Sequence, residues 1–220
     1  MKRAIIFGTT DFAQVASVYL REDGGYEVEA FTVDRRFIEA ETLLGLPVVP
    51  FEDVATAFPP GDFAMFVGIG YSKVNKNRRD VYEACKALGY TVPTYVHSTV
   101  IRRPETKIGD GCFIFEENVV QPFVTIGDNC VLWSGNHIGH HTKIGNNVFI
   151  ASHVVISGRC TIGDNCFIGV NATFRDGVTI GRDGVIGAGT IILGDTEEAA
   201  VYKGPATEPL PRRSDELRKI

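Results

Sequence analysis

The sequence lacks features that would assign it to several common protein classes. It has no run approaching about 18 uninterrupted apolar residues, which disfavours a transmembrane helix. It has no excess of basic residues: 22 Lys and Arg against 27 Asp and Glu leave a net charge of −5, which disfavours nucleic acid as a partner. Its five cysteines follow no CxxC zinc spacing. The first residues run into Asp11 and do not resemble a signal peptide, so we expect a cytoplasmic protein that binds no membrane.

The remaining composition is that of an ordinary globular protein. Hydrophobic residues make up 44% of the 220 residues and charged residues 22%, which excludes a wholly disordered chain and suggests one or two domains. Glycine is the exception, because 24 residues exceed the average share of about 7%. The chain therefore uses many tight backbone positions.

Residues 1–98 alternate short apolar runs with helical patterns, which predicts a parallel α/β unit. Such units bind ligands at the carboxyl ends of their strands. The expected strands are Ala4–Gly8, Val28–Asp34, Leu46–Pro50, Phe63–Gly70 and Thr91–His97, and the expected helices are Phe12–Leu20 and Asn75–Leu88.

From Ile101 onward a six-residue repeat determines the predicted fold. Fourteen of the fifteen repeat positions are Ile, Leu or Val, and the other is Phe174. A period of six predicts one short strand and one turn per repeat, wound into a parallel β-helix whose triangular coils contain 18 residues. The repeat positions are Ile108, Ile114, Val120, Ile126, Leu132, Ile138, Ile144, Ile150, Ile156, Ile162, Ile168, Phe174, Ile180, Ile186 and Ile192.

Two further positions support this register. Glycine follows many of the repeat aliphatics, and four of the five cysteines lie four residues after one. We interpret those cysteines as small inward-facing core residues and not as a redox or metal site. A β-helix also needs covered ends, which we assign to the α/β unit and to residues 197–220.

The repeats Thr125–Cys130 and Thr161–Cys166, both TIGDNC, resemble those of the hexapeptide-repeat acyltransferases with a left-handed β-helix. The layout of an α/β unit (1–98), a β-helix domain (99–220) and the segment Val201–Ala206 is similar to that of bacterial nucleotide-sugar acetyltransferases of surface-polysaccharide synthesis. This resemblance implies acetyl-CoA as donor, a nucleotide-linked amino sugar as acceptor, and a homotrimer with active sites between subunits. It favours N-acetylation, and O-acetylation of a sugar hydroxyl stays an alternative.

Four of the five histidines fall between residues 136 and 153, and the register places His140 and His141 at an outward corner of one coil. Transfer to an amine needs a proton acceptor, and imidazole is suited to that role near neutral pH. The resemblance implies that His140 is the general base. Relatives often carry an orienting Glu where this chain has His141, and a second His where it has Phe149.

Further site residues follow from the 18-residue coil. Gly158 lies directly above His140, so we expect its N–H to hold the oxyanion of the tetrahedral intermediate. Val170 and Ala188 stack at another corner and match cofactor contacts of the family. His153 lies near that corner and is a further cofactor candidate, which would meet His140 only across a subunit boundary.

In the α/β unit, Gly8 and Thr10 follow the first strand and precede a helix, where backbone N–H groups can hold a diphosphate. The segment is not a GxGxxG motif, and it departs from the Gly-rich stretch of the family. Asp34 ends the second strand and is suited to a ribose or a base. Lys73 follows another strand and is suited to a phosphate. We expect these four residues to bind the nucleotide sugar.

Two other functions compete with acetyl transfer. A zinc hydrolyase on the same β-helix needs three histidine ligands, but the two positions that lie 36 residues before His141 and His153 are glutamates. A non-catalytic β-helix used for assembly would leave acetyl-CoA intact with every amino sugar. The sequence predicts no bound metal.

Overall fold

The computed structural model describes residues 2–208 and 211, and the part of segment 197–220 beyond these lies outside the described residues. The chain begins with an α/β unit whose elements alternate as expected. These are β1 (Lys2–Phe7), α1 (Asp11–Glu22), β2 (Tyr26–Val33), a 3₁₀ turn (Arg35–Phe37), β3 (Thr42–Leu43), β4 (Leu46–Pro50), a 3₁₀ turn (Phe51–Asp53), α2 (Val54–Ala57), β5 (Ala64–Val67) and α3 (Lys76–Ala87).

The sheet of this unit has the order β3-β4-β2-β1-β5. All neighbours are parallel except the short pair β3 and β4. β2 and β4 lie on one side of β1, and β5 lies on the other, so the strand order reverses at β1. The carboxyl ends of β1, β2 and β5 therefore border one crevice.

The rest of the described chain is a parallel β-helix with three sheets, which confirms the predicted fold and is consistent with the left-handed form. We name the sheets by what lies outside them. The covered face has β6 (Tyr95–Val96), β8 (Phe113–Ile114), β11 (Val131–Leu132), β14 (Phe149–Ile150), β17 (Phe167–Ile168), β20 (Val185–Ile186) and β22 (Val201–Tyr202). The open face has β9 (Val119–Val120), β12 (His137–Ile138), β15 (Val155–Ile156), β18 (Thr173–Phe174) and β21 (Ile191–Ile192). The polar face has β7 (Lys107–Ile108), β10 (Thr125–Ile126), β13 (Lys143–Ile144), β16 (Thr161–Ile162) and β19 (Thr179–Ile180).

The repeat aliphatics point into the prism, and all of them from Ile114 to Ile192 are buried in one continuous core. Cys112, Cys130, Cys160 and Cys166 belong to the same core as free thiols. Their burial agrees with the interpretation of these cysteines as small core residues. The strand residues next to the aliphatics point outward and give each face its character.

Side chains also join successive coils at the corner between the polar and covered faces. The N–H of Asp110 donates to Oδ1 of Asp128 at 3.0 Å, that of Asp128 to Asn146 at 2.9 Å, and that of Asn146 to Asp164 at 2.7 Å. Each bond spans 18 residues, so each of these three turns takes its acceptor from the next coil. We call this series the corner ladder.

One sequence expectation is corrected at the junction of the two parts. The segment Thr91–His97 was expected as the last strand of the α/β unit, but its strand Tyr95–Val96 pairs with Phe113–Ile114 and so opens the covered face of the β-helix. Only Thr91 bridges to Ala64 of the first sheet. The hydrogen-bonded β-helix therefore begins before residue 98, and the boundary between residues 98 and 99 stays a prediction.

Arg78 of α3 connects the two parts from inside. Its side chain is buried, and the guanidinium donates to the carbonyls of Val67 and Ile69 in the α/β unit. It also donates to the carbonyls of Gly111 at 3.1 Å and Asn129 at 3.2 Å in the β-helix. Burial lowers the pKa of Arg78 to about 10, so the group remains charged at neutral pH. A single side chain thus satisfies buried carbonyls on both sides of the junction.

We predict that Arg78→Met lowers the free energy of unfolding by about 3 kcal/mol, because buried carbonyls lose their donors and each unpaired group costs about 1–3 kcal/mol. Thermal and denaturant unfolding measure the change. The matched control is Arg79→Met, since Arg79 forms a partly exposed ion pair with Asp80 and should contribute about 0–1 kcal/mol. Equal stability of the two variants would contradict the role assigned to Arg78.

Candidate active site

A cavity of about 520 Å³ lies at the carboxyl ends of β1, β2 and β5, where an α/β unit is expected to bind its ligand. Three of the four residues expected to bind a nucleotide sugar line it, namely Thr10, Asp34 and Lys73. We call it the nucleotide cavity. The structure therefore brings together side chains that are up to 63 residues apart in the sequence, which is the difference between positions 10 and 73.

Gly8, the fourth of these residues, has a different place. It adopts φ of 121°, and a Cβ at this position would stand 2.5 Å from the carbonyl oxygen of Gly68. Its N–H donates to the carbonyl of Thr32 at 2.8 Å. This N–H is thus already bonded within the sheet, and the lack of a side chain allows the end of β1 to pass close to Gly68. We assign it a packing role and no direct ligand contact.

Sequence reasoning missed two residues of this cavity. Arg36 lines it, and its guanidinium lies 3.5 Å from the carboxylate of Asp34. Arg36 also packs on the ring of Phe37, with 4.6 Å from the guanidinium carbon to the ring centroid. Phe37 is 54% exposed and offers a face for stacking a planar base. Both residues follow the end of β2 closely, and this position in the sequence could have indicated that they line the cavity.

A second cavity of about 490 Å³ lies between the α/β unit and the covered face. Both predicted cofactor residues at the stacked corner, Val170 and Ala188, line it together with Ser152 of the preceding coil. We call these three residues the valine corner and the space the apolar cavity. Its walls are mostly apolar, with Asp11 as a charged residue among them. The aromatic residues of the wall are Phe12, Tyr71, Trp133, Phe149 and Phe167.

Phe149 occupies the position where the resemblance implies a histidine. Its ring centroid is 4.9 Å from that of Tyr71 and 5.8 Å from that of Phe167. Tyr71 also contacts Phe167 at 4.6 Å. An apolar wall therefore stands where relatives present an imidazole, and Phe149 supplies no polar contact to a ligand. The two cavities meet at Gly70, which lines both.

His140 and His141 lie at the corner between the open and polar faces, which we call the histidine corner. The Nδ1 atoms of the two rings are 3.2 Å apart, so one ring can donate a hydrogen bond to the other. The backbone N–H of His140 donates to Oε1 of Gln121 at 2.8 Å. The ring of His141 packs against Phe123 at 4.8 Å. His141 thus supplies a polar neighbour at the position where relatives carry an orienting Glu.

Gly158 lies beside His140 as predicted, but its expected role as oxyanion donor does not fit the geometry. Its N–H donates to Oδ1 of Asp176 at 2.8 Å and is not free. A Cβ at position 158 would stand 2.6 Å from Cε1 of His140. The absence of a side chain at Gly158 therefore leaves room for the imidazole of His140, and we assign this steric role to Gly158.

His153 is exposed and follows Ser152 of the valine corner. Its ring lies over Gly135 of the preceding coil, where a Cβ would stand 2.6 Å from Nδ1. It does not line the apolar cavity, so its cofactor role stays a prediction. Within one chain the valine corner and the histidine corner are separated by the full width of the open face.

Two absences concern residues 2–208 and 211 alone. No group of three or more His, Cys, Asp or Glu side chains is placed to hold a metal ion there. No helix in that part of the chain is long and apolar enough to cross a membrane.

Comparison with known protein families identifies the repeats. Residues 105–140 match the model described as bacterial transferase hexapeptide (six repeats), and residues 159–193 match the hexapeptide repeat of succinyl-transferase. No curated protein sequence matches the chain. The repeats predicted from the six-residue period are therefore matched by two hexapeptide-transferase models.

Solved structures resemble nearly the whole chain. The acetyltransferase domain of PglB from Neisseria gonorrhoeae FA1090 is 25% identical, with a TM-score of 0.84 over 96% of this chain and 100% of that one. The same domain in complex with acetyl coenzyme A gives 23% identity and 0.83 over 95% and 99%. PerB from Caulobacter crescentus, in complex with CoA and GDP-perosamine, gives 23% and 0.82 over 91% and 93%. These likenesses confirm the fold and the resemblance stated from the sequence.

Proposed function

We propose that this hexapeptide-repeat protein is an acetyl-CoA-dependent acetyltransferase that acts on the amino group of a nucleotide-linked amino sugar. The observation that carries the proposal is the junction of two unlike cavities at Gly70. The nucleotide cavity has charged groups suited to a nucleoside diphosphate. The apolar cavity continues from it to the valine corner, which is suited to the pantetheine arm and its thioester.

The similar structures support both halves of this assignment. The PglB domain is an acetyltransferase that has been solved with acetyl coenzyme A, and PerB has been solved with CoA and a nucleotide-linked sugar. The chain shares their fold over at least nine tenths of its length. Asp11 adds an argument from this chain itself, because a carboxylate at the wall of the apolar cavity can accept a hydrogen bond from the amino group of the sugar.

The reaction joins the sugar nitrogen to the acetyl carbon. The unprotonated amine attacks the thioester carbonyl, and a tetrahedral intermediate forms. Its collapse breaks the C–S bond, the amide forms, and the nitrogen loses a proton. His140 takes this proton on Nε2, directly or through a water molecule, and returns it to the leaving thiolate of CoA. Gly158 leaves the space in which the imidazole turns toward the acceptor.

His141 sets the state of His140 in this scheme. With Nδ1–H of His140 donated to Nδ1 of His141, the lone pair of His140 lies on Nε2, which is the nitrogen directed away from the pair. A carboxylate would fix the same tautomer by charge. The imidazole of His141 does so by a hydrogen bond, and its ring packs against Phe123.

A homotrimer completes the site. Three of the five outward residues of the open face are apolar, and two of these are exposed, Val155 at 41% and Ile191 at 68%; the other two are His137 and Thr173. The covered face packs on the α/β unit, and the polar face presents only Lys and Thr. An apolar face of this kind is suited to contact another copy. Because the open face lies between the two corners, a closed threefold ring of open faces brings the histidine corner of one chain to the valine corner of the next.

We expect the protein to release free thiol from acetyl-CoA when a nucleotide-linked amino sugar is added. A panel of such sugars, followed with a thiol reagent, tests the function.

His140→Ala and His140→Asn should lower kcat by about 10² to 10⁴-fold with KM for acetyl-CoA little changed. His141→Ala should cost about tenfold. An inactive His141→Ala beside a largely active His140→Ala would make His141 the proton acceptor, and no thiol release with any sugar would favour a non-catalytic β-helix.

We expect Lys73→Ala and Asp34→Ala to weaken nucleotide-sugar binding by about tenfold each, since each removes one charged contact. Binding of acetyl-CoA should not change. Isothermal calorimetry measures both affinities. The control is Lys86→Ala, because Lys86 pairs with Asp110 away from either cavity. Unchanged nucleotide-sugar affinity in both cavity variants would show that the ligand binds elsewhere.

We expect Val155→Glu to dissociate the trimer and abolish acetyl transfer together, because it places three carboxylates in one apolar interface. Light scattering gives the mass and the thiol assay gives the activity. Thr161→Glu on the polar face is the control and should leave both unchanged. A monomer at micromolar concentration that still transfers acetyl would contradict the shared site.

A further inference from the structure

The loop between β5 and α3, residues 68–75, contributes to the walls of both cavities, and we call it the connector loop. Gly70 lines both cavities, Tyr71 lines the apolar cavity, and Ser72 and Lys73 line the nucleotide cavity. This one loop is therefore shared by the walls of the two cavities.

The last three residues of the connector loop adopt an unfavourable backbone. Lys73, Val74 and Asn75 have φ of 51°, 52° and 61°, all in the left-handed region. Residues other than glycine rarely occupy this region, and a β-branched residue such as Val74 is a particular outlier there. A run of three such residues persists only where the surroundings impose it. Strain of this kind is typical of functional sites, so the contacts that impose it are informative.

Asn75 supplies those contacts. Its side chain is fully buried, and its Nδ2 donates to the carbonyl of Cys166 at 2.9 Å and to that of Asn165 at 3.2 Å. Both carbonyls belong to a coil of the β-helix. The backbone N–H of Asn75 donates to the carbonyl of Tyr71 at 3.2 Å, which closes the loop on itself. The coil that holds Asn75 therefore also determines where Tyr71 and Lys73 lie.

We propose that Asn75 is a positioning residue for acetyl transfer: its two hydrogen bonds to the β-helix hold the connector loop so that the nucleoside diphosphate and the sugar lie in line with the acyl site. The inference rests on the proposed function. Asn75 touches neither cavity, so it acts through Lys73 on the diphosphate and through Tyr71 on the sugar. It makes nucleotide binding in the α/β unit depend on the adjacent coil.

Two substitutions separate the amide from the backbone. Asn75→Gly keeps access to the left-handed region and removes both hydrogen bonds, whereas Asn75→Asp keeps the shape and points a carboxylate at two carbonyls. Both should raise KM for the nucleotide sugar by about tenfold and leave KM for acetyl-CoA within about twofold. The control is Lys76→Ala, because Lys76 forms a partly exposed ion pair with Asp183 across the same junction and should change neither constant.

Calorimetry with UDP, GDP and dTDP provides a readout that does not depend on transfer, and melting curves show that each variant is folded. Wild-type affinity for the nucleoside diphosphate in Asn75→Gly would overturn the proposal, because the backbone alone would then suffice. An equal loss for acetyl-CoA and the nucleoside diphosphate would also overturn it, because the effect would be general unfolding. Wild-type protein that binds none of the three diphosphates and transfers no acetyl group would instead refute the proposed function, and the proposal with it.

Discussion

The structure depends on a charged side chain buried between two folding units. Arg78 has no carboxylate among its hydrogen-bond partners in residues 2–208, and its charge is held by carbonyl dipoles from both units. Desolvation makes such a group costly unless every donor is used, so neither unit can move away without leaving buried carbonyls unpaired. The carbonyls of Val67 and Ile69 stand where β5 gives way to the connector loop. The hydrogen bonds of Arg78 that join the two units therefore lie beside the nucleotide cavity, which Ile69 lines.

The β-helix was predictable because a six-residue period is a property of the sequence itself, and inward residues such as Ile126 and Cys130 follow from counting. The strands of the α/β unit were predictable from apolar runs, and the cavity at their carboxyl ends from topology. Tyr95–Val96 could not be assigned to the correct sheet, because pairing with Phe113–Ile114 depends on where the first coil begins in space. The same limit applies to Gly158, since only the structure shows that its N–H is already bonded to Asp176.

In the proposed mechanism the reacting groups are divided between two corners, so a single chain holds only part of the site. The valine corner adjoins the α/β unit and so lies next to the nucleotide cavity, whereas the histidine corner faces away from both cavities. The two corners stand at opposite edges of the open face, so one chain alone does not bring them together. In the proposed trimer, acetyl transfer therefore requires assembly, because contact through the open faces brings the two corners together.

The corner ladder constrains how a chain of this kind can change in length. In this ladder, three successive turns take a side-chain acceptor from the next coil, each at a separation of 18 residues. An insertion or deletion that is not a multiple of six would bring a repeat aliphatic opposite a turn residue, and one of six or twelve residues would move the ladder's acceptors to another corner. Whole coils are consequently the unit in which such proteins can lengthen or shorten, in steps of about 4.8 Å along the prism. The distance between the histidine corner and the end of the prism is therefore a discrete quantity, adjustable only by adding or removing entire turns.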